Sequence, residues 1–84
     1  MAVTDHMLRQ RILLKCEARG PNKSCCPSDI ARSFGDDWRA LMPRVRAQAC
    51  ELAAVGQIVI SQRGQTVDAA TARGPIRLAM PRRG

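Results

Sequence analysis

Leu8, Ile12 and Cys16 recur at intervals of four with Leu13 alongside, so residues 5–18 carry the single apolar stripe of an amphipathic helix. Thr4 or Asp5 supplies an oxygen where the first backbone N–H groups lack a helical acceptor, and "RGPNK" ends the segment. After a short extended stretch "KSCC", the run "PSDIARSFG" has Pro27 at a first helical position and Asp29 near the positive end of the helix dipole, with Gly35 as its stop. Ile30 and Phe34, four apart, form the inner face of this second helix.

The longest periodic segment is "DDWRALMPRVRAQACELAAVG", interrupted by Pro43. Proline costs about 3 kcal/mol deep inside a helix and almost nothing in its first turn. Two versions follow: "DDWRALM" as a separate turn leading into a new helix, or one helix capped by Asp36 or Asp37 with Pro43 in its second turn. Both run to Val55 and stop at Gly56. At about 100° per residue, Met42, Val45, Ala49 and Leu52 share the inner side with Leu41 beside them. Pro43, Ala47, Cys50 and Ala54 face outward between Arg44 and Arg46, and Gln48 falls on a flank.

Beyond Gly56 the period changes from helical to alternating. Ile58 and Ile60 alternate with Gln57, Val59 and Ser61, and Ile76, Leu78 and Met80 alternate with Arg77 and Ala79, which predicts two half-buried strands joined by a long turn-rich loop. Trp38 and Phe34 are read as core, Trp38 pinning the second helix to the third. The order helix, short strand, helix, helix, strand, loop, strand predicts an α+β winged helix: a helix-turn-helix with a small antiparallel sheet, its third helix at 39 or 43 to 55 and its wing at 62–75. One domain spans 1–84, with residues 1–4 and 81–84 loose. His6, just beyond residue 4, is also expected in a floppy N-terminus and so without a catalytic role.

Charge sharpens this picture. Residues 1–38 hold six basic and five acidic side chains, residues 39–84 eight and two, so the net charge of +7 lies almost wholly in the second half. A basic face of that kind suits a polyanion, duplex DNA first. The candidates for contact are Arg39, Arg44, Arg46 and Gln48 on the third helix, with Arg63, Arg73 and Arg77 on or beside the wing. Alanines, a cysteine and a proline offer a poor alphabet for reading bases, so weak specificity and strong salt dependence are expected. The rival reading is a protein-interaction or dimerisation module that uses the smooth Ala47, Cys50, Ala54 face.

Other chemistries find little support. No pair among Cys16, Cys25, Cys26 and Cys50 has the spacing of a zinc knuckle or ribbon, and no secretory leader or membrane span is recognisable, so reduced thiols in the cytoplasm are expected. Cys16 and Cys25 read as small core residues, while a vicinal Cys25–Cys26 dithiol with Cys26 at a helix start would be a redox or metal switch. No nucleophile-plus-base set or phosphate-cradling glycine loop is present, so neither enzyme activity nor a cofactor is expected.

At "CPSDIAR", "DDWRALMPRVRAQACELAAVG", "GQTVD" and "ATARGPIRL" the chain resembles a small bacterial winged-helix-like family, the domain-of-unknown-function family numbered 3253. The similarity runs from about Leu8 to Leu78. It implies a fold and transfers no catalytic or ligand residues. Because Arg44 and Arg46 lie off the core face, reversing both to glutamate is expected to abolish DNA binding and leave the fold intact, as read by fluorescence anisotropy and circular dichroism.

Overall fold

The computed structural model describes residues 2–20, 22–68 and 71–81. Three helices come first, α1 (Asp5–Arg19), α2 (Pro27–Arg32) and α3 (Trp38–Ala54), followed by strands β1 (Val59–Gln62), β2 (Gln65–Thr66) and β3 (Arg77–Ala79). Thr4 caps α1, its hydroxyl accepting from the Met7 N–H at 3.1 Å, and the Gly20 N–H closes the far end on the Cys16 and Glu17 carbonyls. His6, expected in a loose start, belongs instead to the first turn of α1. Of the tail expected to be loose, residues 82–84 lie outside the described residues.

Cys26 is the N-cap of α2, with Pro27 in the first turn and the Asp29 carboxylate accepting from the Cys26 N–H at 3.5 Å. Hydrogen bonds from Cys26, thiol first and backbone N–H second, hold Asp29 below the usual carboxylate range. Its contribution to stability is therefore full above the unfolded-state pKa and fades as pH falls through the lower folded one.

Of the two versions of the third helix, the continuous one is found. α3 runs from Trp38 to Ala54 with Asp37 at its N-cap and Pro43 in its interior, at the sixth position. Proline brings no N–H to the Arg39 carbonyl one turn back, a loss borne on the exposed side of the helix where water can replace the donor.

The sheet is antiparallel in the order β2-β1-β3. β1 pairs Ile60 with Leu78 of β3 and Ser61 with Thr66 of β2. Cys25, between α1 and α2, adds a further row: its N–H donates to the Leu78 carbonyl at 2.8 Å and the Leu78 N–H returns to the Cys25 carbonyl at 2.7 Å. The long loop expected at 62–75 is instead a tight hairpin followed by a return segment. Arg63 and Gly64 form its two-residue turn with φ of 51° and 81°, the left-handed pair that lets a hairpin follow the twist of its strands.

One core unites these elements. Leu8, Ile12 and Cys16 of α1 meet Ile30 and Ala31 of α2, Val45, Ala49 and Leu52 of α3, and the sheet residues Ile58, Ile60, Ile76 and Leu78, all buried. Phe34 and Trp38, expected in the core, are only half-buried, and Ala31 takes the inner position beside Ile30. The result is an α+β fold of three helices and a three-stranded antiparallel sheet, consistent with a winged-helix-like arrangement. No helix among the described residues is long and apolar enough to cross a membrane.

The thiols divide by position. The Cys16 and Cys25 sulfurs lie 3.9 Å apart in the core, whereas Cys26 turns to the Ser28 hydroxyl at 3.0 Å, so the adjacent thiols of Cys25 and Cys26 meet different partners. The hydrogen bond to Cys25, then burial, pushes the Cys16 thiol far above its usual range. A thiol-reactive disulfide reagent should modify the half-buried Cys26 and Cys50 in the native protein, and Cys16 and Cys25 only after unfolding. Rapid modification of all four in native buffer would contradict this packing. Pro43→Ala is expected to raise stability by about 1–3 kcal/mol, measured by urea unfolding, since alanine restores the missing donor. A fall would show that proline's restriction of the unfolded chain outweighs the lost bond.

Candidate nucleic-acid interface

α3 presents the smooth outer face that its spacing predicts. Ala40, Pro43, Ala47 and Ala54 are exposed, opposite the buried Val45, Ala49 and Leu52, and the only charge on this stripe is Glu51 near its end. Arg39 and Arg46, seven residues apart and so about 10 Å along the axis, lie on one flank. Arg44 lies on the other.

Hydrogen bonding divides the arginines into two groups. Arg44 reaches back to the start of α1, its Nη2 donating to the Asp5 carboxylate at 3.0 Å and to the Val3 carbonyl at 2.6 Å. Arg46 donates to the carbonyls of Gly74 at 3.1 Å and Ala72 at 3.4 Å, tying the segment after β2 to the flank of α3. Arg77 grips Ser24 through the hydroxyl at 2.9 Å and the carbonyl at 3.0 Å. The first half of the chain uses the same device: Arg9 joins α1 to Gln48 and Glu51 of α3, and Arg11 reaches Ser33 just beyond α2.

The second group points outward. Arg63 at the hairpin tip and Arg73 in the return segment are exposed, and their side chains have no hydrogen-bond or ion-pair partner among the described residues. The Gln62 amide braces this loop by donating to the carbonyls of Arg73 at 2.6 Å and Pro75 at 3.1 Å. Arg39 is exposed with its guanidinium carbon 4.5 Å from the Trp38 ring centroid, and Arg32 of α2 approaches the same ring at 4.6 Å.

Two sequence expectations need correction. Gln48, placed on a flank as a base-reading candidate, is buried, and its amide oxygen accepts from Arg9 in the contact between α1 and α3. Its angle on α3 is the expected one, but α1 covers that side. Arg44 and Arg46 are not simple surface charges either. Glutamate at 44 would stand against Asp5, and glutamate at 46 would meet two carbonyls, so the double reversal disturbs the fold as well as any binding.

Arg32 lies outside the residues expected at the interface, and Trp38, expected in the core, is a half-buried ring beside it. The available signal was one tryptophan at a helix start with arginine next to it and another arginine six residues before. A further feature is a groove between α1 and the end of α3, with an apolar floor of Leu13, Leu52, Ala54 and Val55, the last 71% exposed, and a polar rim that includes His6, Arg9 and Glu51. Among the described residues no group of three or more His, Cys, Asp or Glu side chains is placed to hold a metal ion.

Fold and surface thus define a small α+β domain whose outward arginines lie at the start of its longest helix and in the hairpin and return segment that follow it in sequence. Residues 5–81 match the family model described as Protein of unknown function (DUF3253), and the chain belongs to that family. No curated protein matches the chain.

Arg63 occupies a left-handed conformation that costs an ordinary residue about 1–2 kcal/mol and that asparagine adopts readily. Arg63→Asn should therefore raise unfolding stability by about 0.5–1 kcal/mol while removing the charge at the hairpin tip. A variant less stable than the parent would show that the arginine side chain supports the turn.

Proposed function

We propose that this domain binds duplex nucleic acid, DNA in the first place, through the outer face of α3 and the hairpin with its return segment, and that it works as a binding module without a catalytic step. The observation that carries the reading is the division of the arginines. While Arg44, Arg46 and Arg77 are used to hold the fold, Arg39, Arg63 and Arg73 keep their donors toward solvent at the start of α3, the hairpin tip and the return segment. Arg46 supports the reading by holding the return segment at Ala72 and Gly74 against the flank of α3.

Phosphate contacts of this kind give affinity and register without sequence information. The exposed helix face offers methyl groups, and burial of Gln48 removes its one amide suited to adenine, so specificity is expected to be weak. The protein-partner reading is favoured by a different observation, the apolar groove beside Val55. It predicts association that is insensitive to salt.

Anisotropy of a labelled random duplex against salt separates the two readings. Three phosphate contacts predict a slope of log affinity on log salt of about −3, falling to about −1 in the Arg63→Gln, Arg73→Gln variant. Absence of binding at low salt, or affinity unmoved by salt, would contradict the proposal.

A further inference from the structure

The flank of α3 nearest α2 carries a second basic feature that the sequence reading did not assemble. Arg32, at the end of α2, and Arg39, in the first turn of α3, both bring their guanidinium groups to Trp38, at 4.6 and 4.5 Å from the ring centroid. Both arginines are exposed, and neither has a hydrogen-bond or ion-pair partner among the described residues. Trp38 is half-buried and packs against the core, which restrains the ring that both cations approach.

We propose that Arg32, Trp38 and Arg39 form a clamp for a phosphodiester group of the bound duplex, at the α2 end of α3 and separate from the wing. This rests on the nucleic-acid reading and extends its surface onto α2. Stacking occupies the flat face of a guanidinium and leaves its N–H edge available, and that edge matches the fork of phosphate oxygens. An arginine already held against a ring loses less rotamer freedom on binding than one waving in solvent. Two such groups on one indole concentrate positive charge where a single arginine would give a diffuse contact.

The position suits a duplex spanned by α3. Arg46, where the wing segment joins, lies about 10 Å along the axis from Arg39, close to the ~12 Å width of a major groove. The clamp and the wing would then hold the backbone at two points along one flank of α3, about 10 Å apart. The opposing charges are Asp36 and Asp37, both exposed immediately before Trp38, and neither forms an ion pair with Arg32 or Arg39 among the described residues. They limit the clamp's field and confine it to the arginine edges.

Trp38 is the only tryptophan and the chain has no tyrosine, so emission excited at the red edge of the indole band reports this cluster alone. Titration with an unlabelled random duplex at low salt is expected to change that emission in step with the anisotropy of a labelled one. Arg32→Gln, on a helix the wing reading does not use, should weaken binding several-fold and reduce the salt slope by about 0.9. Trp38→Phe, which keeps a smaller ring in place, should weaken binding less and leave the slope unchanged. Circular dichroism of each variant confirms the fold.

Normal wild-type binding with still Trp38 emission and an unaltered Arg32→Gln slope would overturn the clamp and leave the interface of α3 and wing standing. If no duplex binds at low salt, both fall together. A slope lost in the Arg63→Gln, Arg73→Gln variant but not in Arg32→Gln would assign the contacts to the wing alone, against the clamp.

Discussion

The two hydrogen bonds between Cys25 and Leu78 join the first third of the chain to its last strand, and the rest of the packing depends on them. Leu78 is fully buried and is paired on one side with Cys25 and on the other with Ile60. These three rows lay their inward side chains over α1, α2 and α3, and Cys25 completes the layer by touching Cys16 of α1. Each backbone bond is worth only about 1 kcal/mol net, but a buried strand left unpaired would cost more than the bonds supply. Such a small domain has little core in reserve, so this seam decides whether the helices have a sheet to close against.

Around that seam the polar layer is held mainly by arginine. Arg44 crosses 39 residues to Asp5, Arg46 crosses 28 to Gly74, and Arg77 crosses 53 to Ser24. Several of these bonds end on carbonyls rather than carboxylates, so they fasten the chain without neutralising it. The protein thereby retains a high positive charge while fixing a large part of that charge in place. Among the described residues, the arginines left facing solvent without a hydrogen-bond or ion-pair partner are Arg32 and Arg39 at Trp38, Arg63 at the hairpin tip and Arg73 in the return segment. For a polyanion reading, this arrangement of donors says more than the net charge does.

Much of the fold was legible because periodicity is a local property. The stripe of Leu8, Ile12 and Cys16, the proline at the start of α2, and the alternation of Ile58 with Ile60 and of Ile76 with Leu78 point to the helices, to β1 and β3 and to most of their inner faces, but not to β2. The tight hairpin was not legible, because Arg63-Gly64 lacks the Asn-Gly chemistry that announces such a turn. The site was harder still. Whether Gln48 faces water depends on α1 covering that side of α3, and whether Arg44 or Arg46 is available depends on carbonyls and a carboxylate far away in sequence. A helical wheel gives the angle of a side chain and says nothing of its neighbours. The pairing of Arg32 with Trp38 is of the same kind, since it forms only once α2 and α3 are packed.

The most direct measurement is a map of backbone amide shifts in labelled protein as an unlabelled duplex is added. The account predicts changes concentrated at Arg39 to Ala47 of α3, around Arg63 and Gly64, and near Arg73, with little change at Leu13 or Val55. Shifts confined to the apolar groove between α1 and the end of α3, or none at all, would contradict it and assign the outward arginines to a surface with another purpose.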